Sequence, residues 1–251
     1  MIPLIEELSL NAWPALETLL VGGWVVRFAG GYTRRANSVI PLYAAAEPLD
    51  AADLLERVEA CEALYRRRGL PVIFKLTPES RPAGLDALLE ARGYRAEART
   101  GVQTLDLAGA VAPAGGEAPR ITPEPEQAWL DGMARMSALE GERRKRHEQI
   151  LAAIAPERGF ASLRGADGAV LACGLGVVQM GWLGLFDIVV DPAARGRGLG
   201  ERLVRGLLAW GSGAGARASY LQVMLNNPPA LRLYARVGYK PAYEYWYRVK
   251  E

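Results

Sequence analysis

The chain has 251 residues, 50% hydrophobic and 23% charged, with a formal net charge of +2. That length suits one large domain or two small ones of ~100–150 residues each. The near-balance of charge asks for neither nucleic acid nor a membrane surface as partner.

The N-terminal stretch MIPLIEELSL is acidic and has no basic region ahead of an apolar one, so it does not read as a signal peptide. No window reaches the ~18 uninterrupted apolar residues of a membrane span, and a soluble, cytoplasmic protein is expected. Gly22 to Leu42 (GGWVVRFAGGYTRRANSVIPL) predicts a strand, a glycine turn and a second strand. Its Arg34, Arg35, Asn37 and Ser38 read as a solvated loop, with reach into a substrate groove as the other reading. Cys61 and Cys173 are too few and too far apart for a disulfide framework or a zinc site. Pro71 to Thr77 predicts a strand and Leu85 to Arg92 a helix ended by Gly93-Tyr94.

Ala108 to Glu126, dense in Gly, Ala and Pro and without periodicity, reads as a linker. The expected division is residues 1–107, a linker over 108–124, and a domain over 125–251. In the second half, helices are predicted over Pro125 to Met136 and Glu142 to Ile154. Strands follow over Phe160 to Leu163 and Val170 to Val178, joined by the hairpin turn Gly165-Ala166-Asp167-Gly168. His147, the only histidine, sits in the charge run GERRKRHEQ, and the expectation is a solvated helix face; no further metal ligands accompany it. Strand Trp182 to Val190, helix Leu199 to Trp210, strand Ser219 to Leu225, helix Ala230 to Val237 and a last strand Tyr243 to Val249 complete the reading. Trp182, Tyr243, Tyr245, Trp246 and Tyr247 form an aromatic group, expected to pack in a core or to wall an acceptor pocket.

The most informative stretch joins strand to helix: FDIVVDPAARGRGLG, Phe186 to Gly200. Free backbone N–H groups at the start of a helix bind phosphate without any particular side chain. Gly196, Gly198 and Gly200 allow close approach, while Arg195 and Arg197 add positive charge. Written as R-x-x-G-x-[GA], the motif is weak alone. Its context is a second strand YLQVML, then Asn226-Asn227-Pro228-Pro229, then ALRLYARVGY with Tyr234. In order and separation this succession resembles the acetyl-CoA-binding half of the GCN5-related N-acetyltransferase superfamily.

The resemblance implies an α/β (α+β) fold, a mixed central sheet flanked by helices. It also implies an acetyl-CoA-dependent transfer to the amine of a small molecule or peptide. The backbone of Ile188, Val189 and Val190 would hold the pantetheine arm, residues Arg195, Gly196, Arg197, Gly198, Leu199 and Gly200 the diphosphate, and Asn227 the arm again. Tyr234 matches the general acid, which also lies against the cofactor. LLEARGY, ending at Tyr94, echoes LYARVGY, ending at Tyr239, so the chain reads as two tandem halves, the first lacking the cofactor motif and carrying Leu89 where the second has Tyr234. Any strand–helix unit gives a similar echo, and a monomer or a homodimer fits equally.

One position departs from the pattern. In the ribosomal-protein alanine acetyltransferase branch a Glu on the strand before the Asn serves as base; here it is Gln222, and an amide cannot take the proton. Asp187 is the best replacement, since strand alternation sets it on a face with Leu183, Leu185 and Val189. Glu140 and Glu244 are reserves. A non-catalytic module that binds acyl-CoA as a sensor is the alternative that Gln222 keeps open.

Overall fold

The computed structural model describes residues 1–42, 50–109 and 115–251. They fall into two units that are not consecutive in sequence. The first comprises Met1–Gly101, Gln149–Ala153 and Tyr243–Glu251; the second Val102–Glu148 and Ile154–Ala242.

In the first unit, α1 (Ile2–Ala12), β1 (Glu17–Val21), β2 (Trp24–Phe28), β3 (Val39–Ile40), α2 (Ala51–Arg66), β4 (Val72–Leu76) and α3 (Leu85–Ala91) precede β5 (Arg95–Asp106), whose residues divide between the units. β1, β2 and β3 run antiparallel, β3 and β4 parallel. The C-terminal strand β11 (Lys240–Lys250) pairs antiparallel with β4, Trp246 opposite Leu76. Asp50 caps α2 by accepting from Ala52 N at 2.7 Å and Asp53 N at 2.9 Å, which satisfies donors the helix cannot. The predicted solvated loop is half wrong. Arg34 is exposed and pairs with Glu97, but Asn37 and Ser38 are buried. Asn37 Oδ1 accepts from Ala29 N and Gly31 N while its amide donates to Tyr32 O and Thr33 O. A short polar side chain thus ties the turn around itself, a role that composition does not announce.

This unit also seals an ion pair. Lys75 Nζ lies 2.5 Å from Glu6 Oε2, and both side chains are at most 2% exposed. Tyr243 donates to Glu6 Oε1 at 2.8 Å, and Lys75 sits over the Tyr245 ring. Removing one partner of a buried pair strands the other charge, which costs ~3–5 kcal/mol. Lys75→Met is therefore expected to lower unfolding stability by about that much in a urea titration. Adding Glu6→Leu should restore most of it; a double variant as weak as the single would refute the account.

In the second unit, β6 (Arg120–Thr122), α4 (Gln127–Ser137), α5 (Gly141–Ala152, whose last residues from Gln149 belong to the first unit), β7 (Glu157–Arg164), β8 (Val170–Gln179) and β9 (Trp182–Val190) are followed by α6 (Leu199–Gly213), β10 (Ala218–Met224) and α7 (Pro228–Val237). β6 falls inside the stretch expected to be linker: Arg120, Ile121 and Thr122 pair with Ser162, Ala161 and Phe160 of β7. β6 to β9 are antiparallel, and β10 joins β9 in parallel. α6 covers this sheet with Leu199, Leu203, Val204, Leu207 and Leu208, a stripe at helical spacing. It lies close because β8 carries glycines: a Cβ on Gly174 would meet Leu203 Cδ2 at 3.2 Å and Leu207 Cδ1 at 3.3 Å.

The echo noted in the sequence has a local structural counterpart. α3 and α7 each end at a left-handed glycine, Gly93 (φ 84°) and Gly238 (φ 110°). Past each glycine a tyrosine N–H returns to the helix, Tyr94 to Leu89 O and Tyr239 to Tyr234 O, both at 3.0 Å. No helix among the described residues is long and apolar enough to cross a membrane.

Candidate active site

The site is built where β9 parts from β10. Their ladder runs from Trp182 opposite Ala218 to Leu185 opposite Leu221 and stops there, although both strands continue. On its other side β9 keeps its antiparallel partner, with an interruption: Leu175 pairs with Phe186 and Cys173 with Val189. Asp187 and Ile188 together therefore oppose Gly174, which is a β-bulge. Asp187 adopts φ +51°, a left-handed conformation that costs a non-glycine residue ~1–2 kcal/mol, least for Asp or Asn. The bulge breaks the alternation expected along the strand and leaves residues 187–190 half-buried.

Asp187 has one hydrogen-bond partner among the described residues. Its Oδ2 lies 2.7 Å from His147 Nε2, with the two side chains 14% and 3% exposed. The expectation for His147 was wrong: the histidine is buried, its ring parallel to that of Trp129 at 6.3 Å. The signal was present in the sequence. His147, Ile150, Leu151 and Ile154 are all buried, and their spacing marks one helical face, while the cations before them face out.

Downstream, the turn into α6 is pinned. Asp191 Oδ1 accepts from Ala193 N at 2.9 Å, Arg135 binds Asp191 Oδ2, and Arg135 also donates to Val170 O at 2.7 Å. Arg135 holds the Asp191 carboxyl below its usual range. Arg195, Gly196, Arg197 and Gly198 are exposed. Gly196 and Gly198 have φ of +77° and +74°, and a Cβ on either would meet nothing within 4 Å. Leu199 anchors the helix start in the core, and Gly200 packs near Leu233. Arg195 and Arg197 form no ion pair among the described residues.

Asn227 caps α7, its Oδ1 accepting from Ala230 N at 3.3 Å, and Pro228 and Pro229 occupy the first helical positions, where a missing N–H costs nothing. Tyr234 lies in the core cluster with Val237 and Tyr239, a cluster against which the partly buried Ile188 and Val190 also pack. Burial pushes its phenol up to about 12. The hydroxyl has no hydrogen-bond partner among the described residues and is not a sealed-off atom. Gln222 is half-buried on β10. Of the reserve carboxylates, Glu140 is exposed and Glu244 pairs with Arg99 at 2.8 Å in the first unit. The aromatic group divides: Trp182 packs edge-on against Tyr220, while Tyr245 packs against Tyr247 in the first unit.

A bulged strand that parts from its parallel neighbour, a glycine turn at a helix start and a tyrosine on the next helix together form the architecture of an acyl-group transferase. A family model described as "Probable histone acetyltransferase Rv0428c C-terminal" matches residues 2–248. The chain is 32% identical over 254 residues to "Uncharacterized N-acetyltransferase YobR" of Bacillus subtilis, covering 98% of this chain and 97% of that one. Among solved structures, a GCN5-related N-acetyltransferase from Kribbella flavida superposes with a TM-score of 0.71 at 16% identity, over 99% of this chain and 95% of that one. A tandem GNAT protein from the clavulanic acid biosynthesis pathway gives 0.64 at 14% identity, over 98% and 87%; likeness at these identities concerns the fold. The chain belongs to the GCN5-related N-acetyltransferase superfamily, within the family of that matching model, and is an N-acetyltransferase.

Proposed function

We propose that the chain transfers an acetyl group from acetyl-CoA to a primary amine by direct attack in a ternary complex, with the chemistry in the second unit. The observation that carries this reading is the opening at the end of β9, where ladder pairing ceases, the bulge carries a carboxylate and α6 begins just beyond.

The residues present fit a coenzyme A thioester. Left-handed Gly196 and Gly198 leave open space where a side chain would stand, so a ligand can reach the backbone. The first-turn N–H groups of α6 have no intrahelical acceptor and suit a diphosphate, with Arg195 and Arg197 uncommitted beside them. Backbone groups of Ile188, Val189 and Val190 are free on the β10 side for the amides of the pantetheine arm. Asn227 spends its oxygen on α7 and has its amide N–H groups left for the same arm.

When bound, the thioester supplies an electrophilic acetyl carbonyl and a thiolate leaving group. Tyr234 holds the proton for that sulfur: raised to about 12, its phenol stays protonated across the neutral range. An alkyl amine with pKa near ~10.4 is neutral in only about one part in 10³ at pH 7, equivalent to ~4–5 kcal/mol that a base must recover. Asp187 serves as that base through Oδ1, which has no partner among the described residues. The first unit is read as an acetyltransferase-like half without cofactor, since Leu89 stands where Tyr234 would and no Arg-x-x-Gly-x-Gly precedes α3.

The test is coenzyme A release from acetyl-CoA across a panel of primary amines. Amine-dependent thiol release is expected; binding of acetyl-CoA with no release on any amine would leave only a sensor. Within the active system, Asp187→Asn keeps the left-handed backbone and a partner for His147 but cannot take a proton. It should cut kcat/KM by ~10²-fold and flatten the rise of rate with pH. A rise that persists unchanged removes Asp187 as the base.

A further inference from the structure

The base assigned above binds a histidine through Oδ2 and has no partner for Oδ1 among the described residues. Three observations bear on what that histidine does. First, exposure falls inward: the Asp187 side chain is 14% exposed and that of His147 3%, so the imidazole stands behind the carboxylate. Second, the imidazole is held on a second side by the parallel Trp129 ring, whose own Nε1 donates to Ala161 O at 3.0 Å on β7. Trp129 is thereby fixed to the sheet, and α4 and α5 share the support of one ring. Third, Asp187 stands in a bulge at positive φ, a place where the backbone alone does not fix a carboxylate rotamer.

We propose that His147 is a positioning residue for acetyl transfer: its Nε2–H donates to Asp187 Oδ2 and locks the carboxylate in the bulge with Oδ1 turned to the acceptor amine. The inference rests on Asp187 being the base. The order is the reverse of a serine-type triad, with the carboxylate at the reacting proton and the imidazole behind it. The proton count is simple. Nε2 keeps its proton, the amine N–H breaks with its proton arriving on Oδ1, the amine nitrogen bonds the acyl carbon, and the C–S bond breaks with the Tyr234 proton going to the sulfur.

Of the other charged and titratable groups on the packed elements, Arg143 is exposed to solvent and the nearest in the chain to the pair are held elsewhere. On α5, Arg144 binds Glu148 at 2.7 Å and reaches Asp131 of α4 at 2.7 Å. On α4, Arg135 is held by Asp191. On β8, Cys173 is a buried thiol whose pKa is raised by burial and further by the Asp187 charge, so it stays neutral. No lysine or arginine pairs with Asp187 among the described residues.

The experiment compares His147→Phe, which keeps the ring against Trp129 but has no donor, with His147→Gln, whose amide nitrogen stands near the place of Nε2. His147→Phe should lower kcat/KM for the amine by ~10–10²-fold and leave the acetyl-CoA Kd unchanged. The acid limb of its pH profile should move to higher pH, because the carboxylate has lost a donor that favours its charged form. His147→Gln should return the limb toward its original position. In an Asp187→Asn background, His147→Phe should cost no further activity, since the histidine acts only through the carboxylate. An acid limb that stays put in His147→Phe, or a full additional loss in the double variant, overturns the proposal. If Asp187→Asn alone has no effect, the base assignment fails instead. Folding of each variant is read by thermal unfolding, and if His147→Phe does not fold, the Gln variant's limb position and the double-variant cycle built on it decide.

Discussion

Replacing Tyr234 by Phe is expected to lower kcat by ~10²–10⁴-fold with the acetyl-CoA Kd unchanged. The reasoning starts from the phenol's surroundings. Its ring is part of the core beside Val237 and Tyr239, with the Tyr239 ring edge-on at 5.9 Å. A phenylalanine ring fills that space identically, so neither the fold nor the cofactor cleft should change. The lost atom is a hydroxyl that bonds nothing among the described residues, so its removal strands no buried partner. The stability cost should accordingly fall below ~1 kcal/mol. Only the proton disappears, and it is a proton that burial keeps in place up to about pH 12. The wild-type rate should therefore show no decline through mildly alkaline pH that belongs to this tyrosine. A Phe variant that matches the parent in single-turnover rate would dismiss Tyr234 as the acid and leave solvent as the proton source.

The same residue shows how the site divides between what sequence displays and what it hides. L-Y-x-x-x-G-Y fixes Tyr234 by a local rule, because a helix ended by a left-handed glycine sets the tyrosine one turn before the cap. The strand Trp182 to Val190 and the start of α6 at Leu199 were legible for a similar reason: an apolar run, a Pro, then glycines. The bulge was not. Strand alternation assigned Asp187 to the face of Leu183 and Leu185, whereas two residues opposite Gly174 shift the register by one. That shift depends on Ile188 occupying the space over a glycine on another strand, a contact between positions far apart in sequence. His147 was hidden differently. Four of the six residues from Gly141 to Arg146 are cations, and their solvation dominates any local average. The stripe that buries the histidine begins only at His147 and runs on through Ile154. Likewise β6 was lost among prolines, since three residues can form an edge strand with no periodicity to betray them.

The largest effect on ligand binding should come from Gly198→Glu. Gly198 precedes α6 in the left-handed region at φ +74°, so any side chain there carries ~1–2 kcal/mol of backbone strain. A carboxylate beside a helix N-terminus gains back ~0.3–1 kcal/mol from the aligned dipoles, so the variant should fold with only a modest loss of melting temperature. For the diphosphate the balance is different. The new side chain would occupy the open space beside the loop, compete for the first-turn N–H groups and set a negative charge against two others. Losing even two charge-assisted hydrogen bonds at ~1.5–3 kcal/mol each amounts to a ~10²–10⁴-fold rise in Kd. Gly198→Ala separates the causes: it carries the same strain, adds a methyl group that meets nothing within 4 Å, and should weaken binding less than ~10-fold. Calorimetric titration with coenzyme A reads both variants. If the Glu variant binds as tightly as the parent while folded, the diphosphate is not held at the start of α6, and the glycines there serve only to turn the chain.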